Sequence, residues 1–159
     1  MATCVIASPV GTLHLAASQR GLSAVGYAPC PLAAGDDSPA AREALDRAVE
    51  QLAAYWDGSR RAFDLPLDLS AGSPFAQRVW RAALEIPFGQ TMSYRQLAER
   101  IGAPGAARAV GHALGANPIA VVVPCHRVLR ADGSLGGYAG GLETKRVLLA
   151  HEGIAKPGR

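Results

Sequence analysis

Residues 119–128 read Ile119-Ala120-Val121-Val122-Val123-Pro124-Cys125-His126-Arg127-Val128. Five apolar and mostly β-branched residues in a row predict a buried strand, which Pro124 ends abruptly beside a cysteine. A thiol at that position, next to an imidazole and a guanidinium, is a candidate nucleophile: thiolate is the reactive form, and neighbouring positive charge lowers a thiol pKa from its usual ~8.5. Adjacent strand residues point to opposite faces. Cys125 and His126 therefore couple directly only if Pro124 bends the chain, and otherwise through a bridging water. A third group should orient the imidazole. Glu152 is the most constrained acid of the second half, closing a helix predicted from Leu142 to a stop at Gly153. An inert buried cysteine is the competing reading of the motif taken alone.

Upstream of this run the chain is helical. Ser73 caps a helix carrying Phe75, Ala76, Val79, Trp80 and Ala83, closed by Pro87 and Gly89. Ser93 with Gln96 forms a capping box for a helix over 94–101, Gly102-Ala103-Pro104-Gly105 is a tight turn, and a second short helix covers 106–115. Two short helices across a glycine-containing turn are helix-turn-helix in outline. On the second helix Ala107, Val110 and Leu114 share an apolar face, while Arg108, His112 and Gly115 share a thin cationic one. Such a face suits close approach to a nucleic-acid groove; a tightly packed Ala/Gly helix is the equal alternative.

The first part of the chain reads as β followed by α. Runs at 4–7, 12–17 and 22–27, separated by Ser8-Pro9-Val10-Gly11 and Ser18-Gln19-Arg20-Gly21, predict a three-strand meander. Ser38 and Pro39 open an amphipathic helix running to Trp56 with Gly58 as its stop. Phe63, Leu65, Leu67 and Leu69 alternate with Asp64, Pro66 and Asp68, predicting an edge strand. The segment Ser70-Ala71-Gly72-Ser73-Pro74 is the best boundary. The expected domains are thus 1–69 and 70–159, and the fold class is α+β. An N-terminal three-stranded antiparallel sheet with a covering helix is followed by a mostly helical, winged-helix-like lobe holding the helix-turn-helix and the cysteine.

The 159 residues, 49% hydrophobic and 18% charged, exclude a disordered chain and a large multidomain machine. No apolar run approaches the ~20 residues that span a membrane. The net charge of +3 conceals a division. There are five basic and eight acidic residues before Ser70, against eleven and five from it onward, and the basic half hints at a polyanionic partner. Three cysteines, which cannot all pair, and a start without a secretory pattern point to a reducing cytoplasm.

Taken together, Pro124-Cys125-His126-Arg127-Val128, the preceding Ala107-Arg108-Ala109-Val110-Gly111 and Asn117-Pro118, and the following Gly137-Tyr138 and Leu149-Ala150-His151-Glu152-Gly153 resemble the O6-alkylguanine-DNA alkyltransferases, a family of direct-reversal DNA repair proteins. The resemblance is dense from about Ser73 to Gly153. It implies a cytoplasmic, nucleoid-associated monomer without cofactor, acting on double-stranded DNA containing O6-alkylguanine, with O4-alkylthymine as a lesser substrate. Whether binding along DNA is cooperative stays open. Cys125 would accept the alkyl group in a single irreversible displacement, with His126 as base through a water and Glu152 orienting it. Tyr94 would help rotate the target phosphate and protonate the leaving purine. Arg108 would fill the space of the flipped nucleotide, and Asn117 would tie the recognition helix to the active-site strand. Arg95, Ala109, His112 and Gly115 complete the implied DNA-facing set; Val128, Tyr138, Ala139, Leu114 and Gly136 complete the implied pocket.

Some positions depart from the family pattern. Ala139 stands where many relatives have serine, Ala120 where some have a pocket-wall proline, and Gly115 where some carry a basic side chain. Cys4, Cys30 and His14 match no metal-binding spacing. The alternatives are a non-catalytic lesion-binding or regulatory protein of the same fold, a helix-turn-helix transcription factor, and a cysteine hydrolase. Cys125 argues against the first, Pro124-Cys125-His126 against the second, and the adjacency of Cys and His in one short segment against the third.

Overall fold

A computed structural model describes residues 2–30 and 37–154. Chain contacts divide it into two compact units, Met1–Ala71 and Gly72–Arg159.

In the first unit, β1 (Ala2–Ser8), β2 (Gly11–Ser18) and β3 (Gly21–Gly26) form an antiparallel meander in sequence order. The first hairpin turns at Pro9-Val10, with Gly11 at φ 97°, a conformation that favours glycine. Helix α1 (Pro39–Trp56) starts where Ser38 accepts a hydrogen bond from the Ala41 amide, with Pro39 in the first turn where its missing N–H costs nothing. Its buried stripe of Ala41, Ala44, Leu45, Ala48, Leu52 and Tyr55 covers the sheet.

The edge strand expected at 63–69 is not formed. The segment is extended and its side chains alternate in burial, but it pairs with β3 through a single parallel bridge, Leu22 to Leu67. Pro66 has no N–H to offer, and its carbonyl accepts from the Leu22 amide at 2.9 Å. Gln51 captures both backbone groups of Asp64 at 2.9 Å each, so those groups serve the helix rather than a ladder.

In the second unit, α2 (Pro74–Leu84) is capped by Ser73 and buries Val79, Trp80, Ala82 and Ala83. The Trp80 indole donates to the Ala113 carbonyl at 2.9 Å, fastening α2 to α4 (Ala107–Gly115). Between them lie β4 (Met92–Ser93) and α3 (Tyr94–Arg100), whose capping box is complete: Gln96 N to Ser93 Oγ is 3.0 Å and Ser93 N to Gln96 Oε1 is 2.8 Å. Gly102 and Gly105, both at positive φ, turn the chain from α3 into α4. Strand β4 pairs in parallel with β5 (Val128–Leu129), so the start of α3 is held beside the residues that follow the cysteine. Helix α5 (Leu142–His151) packs Leu149 with Leu129, Leu135 and Ile154.

The buried strand expected at 119–123 is corrected as well. All five residues are at most 7% exposed, but they form a tight turn. Val122 N bonds Ala120 O at 2.8 Å, Val123 N bonds Ile119 O at 2.9 Å, and Val121 sits at φ 70°. A β-branched residue at positive φ costs on the order of 1–3 kcal/mol and persists only where its surroundings impose it. Asn117 does so, accepting from Ile119 N at 2.9 Å and donating to Val123 O at 3.0 Å. Cys125–Arg127 then form one turn of 3-10 helix rather than a strand end.

Gly21 combines φ 137° with a backbone neighbour, Pro66 O, only 2.2 Å from where a Cβ would stand. Gly21→Ala should therefore cost about 1–3 kcal/mol in urea unfolding, by prising β3 from the 66–68 segment. Unchanged stability would contradict this packing.

Candidate active site and nucleic-acid interface

The 3-10 turn at Cys125–Arg127 sends its first side chain one way and the next two another. Cys125, 8% exposed, forms part of the wall of a cavity of about 740 Å³ whose lining includes Tyr94, Arg108, Leu114, Gly115, Gly136, Tyr138 and Ala139. These elements come from the start of α3, one face of α4 and the 136–139 loop. The Asn117 amide that braces the preceding turn also donates to Cys125 Sγ at 3.2 Å.

His126 and Arg127 turn inward and meet at Glu152, the C-cap of α5. His126 Nε2 lies 2.8 Å from Glu152 Oε2. Arg127 donates to Oε1 through Nε at 2.7 Å and to Oε2 through Nη2 at 3.0 Å. Its Nη1 donates to the Ile86 carbonyl, just beyond α2, at 2.6 Å. Burial alone would raise the Glu152 pKa, but these hydrogen bonds and charges win and hold it at about 2. Burial lowers the His126 pKa more strongly than Glu152 restores it, so the ring is neutral. With the anionic carboxylate facing Nε2, the proton sits on Nε2. Nδ1, buried and without a hydrogen-bond partner among the described residues, keeps a basic lone pair.

The thiol expectation needs correction. Burial pushes the Cys125 pKa up, and the Asn117 hydrogen bond and the nearby Lys145 charge offset this only in part. Arg127 does not serve as the activating cation, because its guanidinium is committed to Glu152 and Ile86. Lys145 takes that place. Its buried ammonium donates to the carbonyls of Val128 at 2.7 Å, Leu135, and Gly137 at 3.3 Å, and lies 5.8 Å from the Tyr94 ring centroid. Burial brings its pKa down to about 8. Tyr94 is raised by burial and then by proximity to Cys125. Gly136, at φ 70°, lets the chain pass so close that a Cβ there would stand 2.6 Å from the Tyr94 hydroxyl.

Helix α4 buries Val110, Ala113 and Leu114 and leaves Arg108, Ala109, His112 and Gly115 exposed. Of this exposed face, Arg108 and Gly115 reach the cavity; Ala109 and His112 are not among its lining residues. Arg95 is exposed and lies 3.6 Å from Glu99. Val128 is fully buried, and Ala120 also lies outside the lining. Ala107, expected on the apolar face of α4, lines the cavity instead, as do Gly111 and Gly137, quoted only within motifs, and Arg130, which was missed along with Lys145. Lys145 had a signal: with Leu148, Leu149 and Glu152 it follows the i, i+3/i+4, i+7 spacing of a buried helix stripe. Among the described residues, no group of three or more His, Cys, Asp or Glu is placed to hold a metal. Cys30 instead donates weakly to the His14 carbonyl at 3.6 Å. No described helix is long and apolar enough to cross a membrane.

Residues 74–154 match the model of the 6-O-methylguanine DNA methyltransferase DNA-binding domain, and residues 1–69 that of the same family's ribonuclease-like domain. The chain belongs to the 6-O-methylguanine DNA methyltransferase family. A methylated-DNA--protein-cysteine methyltransferase of Mycolicibacterium paratuberculosis is 63% identical over 66% of this chain, an alignment spanning 63% of that relative. One from Methanosarcina acetivorans is 42% identical over 94% of this chain and 96% of its own length. The crystal structure of Mycobacterium tuberculosis OGT in complex with DNA superposes with a TM-score of 0.85 at 47% identity, covering 98% of this chain and 94% of that one. Within this family frame, the Cys125 turn and the α3–α4 pair both lie in the segment matched by the DNA-binding domain model.

Replacing Glu152 by Gln should leave Arg127 as an uncompensated buried charge and cost about 3–5 kcal/mol at neutral pH. The folded pKa of about 2 lies below the ordinary 4.5. The carboxylate's contribution is therefore complete above about pH 4.5 and is lost as pH falls towards 2. Denaturant unfolding of the parent and Glu152→Gln chains should show their difference shrinking across that window. A pH-independent difference would contradict the assignment.

Proposed function

We propose that this protein repairs DNA by transferring the alkyl group of O6-alkylguanine in double-stranded DNA to Cys125, once per molecule, with O4-alkylthymine as a lesser substrate. The observation that carries this reading is the placement of the Cys125 thiol, the Tyr94 phenol and the exposed Arg108 around a single cavity, with the cysteine on a turn backed by the His126–Glu152 pair.

The chemistry follows from what each group can do. An O-alkyl carbon inside a duplex is out of reach, so the nucleotide must be extruded, at a cost of a few kcal/mol. Arg108, exposed on the thin face of α4, fills the vacated stack and offsets part of that cost. The small residues beside it allow close approach to a minor groove. With the base in the cavity, His126 Nδ1 takes the Cys125 proton through a bridging water, and Glu152 stabilises the resulting imidazolium. The Asn117 amide and the Lys145 ammonium stabilise the thiolate that burial disfavours. Sulfur attacks the alkyl carbon, the C–O bond breaks with its electron pair left on the purine oxygen, and Tyr94 supplies a proton to the departing guanine and is reprotonated through solvent as His126 gives up the proton it took from the thiol. The product thioether contains no bond that water readily cleaves, so the thiol is not regenerated.

The same reading assigns 1–69 a supporting role and 70–159 the transfer. It places the protein in the cytoplasm, where a free thiol stays reduced; the three cysteines are unpaired.

Incubation with a duplex bearing one O6-methylguanine should add a single methyl mass to the Cys125 peptide, at no more than one event per chain, and Cys125→Ser should abolish it. Repeated turnover, methyl on another residue, or an unmodified protein would overturn the proposal.

A further inference from the structure

Arg130 follows β5 in a tight turn, where its amide donates to Ser134 O and its carbonyl accepts from Gly133 N, both at 2.9 Å. The nearest acid in sequence, Asp132, accepts from the Ser134 amide at 2.9 Å and hydroxyl at 2.6 Å, and Arg130 acts on it only through space, as a minor attraction without a salt bridge. The Arg130 side chain is exposed and, among the described residues, has neither an ion-pair partner nor a side-chain hydrogen bond. It lines the same cavity as Cys125, yet comes from the 128–139 segment, whereas Arg108 comes from α4. The cavity lining contains two guanidinium groups and no carboxylate. A guanine base is neutral and needs neither. The anion that accompanies an extruded nucleotide is its phosphodiester, whose geometry a guanidinium fork matches. Tyr94 lines the same cavity.

We infer that Arg130 binds a backbone phosphate flanking the extruded nucleotide, so that the nucleotide is gripped by Arg130 while Arg108 fills the gap it leaves. The inference rests on the alkyl-transfer reading above. Because the contact is to phosphate, it acts on DNA and not on the isolated base.

The test measures methylation of Cys125 by an O6-methylguanine duplex and by free O6-methylguanine base, across a salt series, for the parent, Arg130→Ala and Arg130→Lys chains. The duplex reaction of Arg130→Ala should fall about tenfold and its duplex affinity should lose about one unit of salt slope. Its reaction with the free base should stay within about twofold, and Arg130→Lys should recover most of the duplex rate. A parent chain that never methylates Cys125 would overturn the alkyl-transfer reading itself. A parent that does, beside an Arg130→Ala chain with unchanged duplex rate and salt slope, would overturn this inference alone. Equal losses on duplex and free base would also overturn it, by placing the guanidinium on the base or its alkyl group. A melting temperature equal to the parent's confirms that the exposed substitution leaves the fold intact.

Discussion

A carboxylate with no solvent must be neutralised by protein, and at Glu152 that requirement organises the second unit. Arg127 supplies the opposite charge through two hydrogen bonds, and His126 supplies a third donor without needing to be charged. Because Arg127 also reaches the Ile86 carbonyl beyond α2, one carboxylate links the end of α5, the 3-10 turn and the end of α2. Moving any of them would strand a buried charge. The turn is thereby fixed with its first side chain, Cys125, facing the cavity while the next two face inward.

The same arrangement separates two tasks that the sequence places side by side. Arg127 neutralises Glu152, which frees His126 to remain neutral with its Nδ1 lone pair available. The thiol, meanwhile, is held above its ordinary pKa by burial. A buried thiol of raised pKa, a neutral imidazole and a lysine drawn down to about 8 form a site that rests with its thiol protonated at neutral pH. Under the proposed alkyl transfer such a site suits a nucleophile used once, since an exposed thiolate would be lost to oxidation or adventitious alkylation.

Much of this was legible in the residues. Ser38, Ser73 and the Ser93–Gln96 box announce helix starts by local chemistry, so α1, α2 and α3 lie where their caps predict. Glu152 was legible because a helix stop fixes its position. The run at 119–123 misled because a continuous apolar stretch reports burial and not backbone shape. The shape is set by Asn117, whose amide closes the turn from outside the run. The segment at 63–69 misled in the same way, with Gln51 taking the hydrogen bonds that a ladder would have used. The rise in the Cys125 pKa was illegible, since depth of burial outweighs the identity of sequence neighbours. Lys145 was legible as part of a buried helix stripe but not as a cation near the thiol, and the position of Arg130 at the cavity follows from a turn rather than from spacing. The charge division at Ser70 becomes specific: of the basic residues beyond it, Arg127 and Lys145 are buried, while Arg108 and Arg130 face the cavity.

The central claim is that Glu152 fixes His126 as a neutral imidazole protonated on Nε2, with Nδ1 as the proton acceptor for the thiol. Nitrogen-15 NMR of the His126 ring, recorded near neutral pH, reads the protonation of both nitrogens directly. The account predicts a protonated Nε2 and an unprotonated Nδ1, giving way to a mixture of neutral tautomers in Glu152→Gln, where the anion that favours a proton on Nε2 is gone. A proton on Nδ1, or an imidazolium in the parent protein at neutral pH, would contradict it.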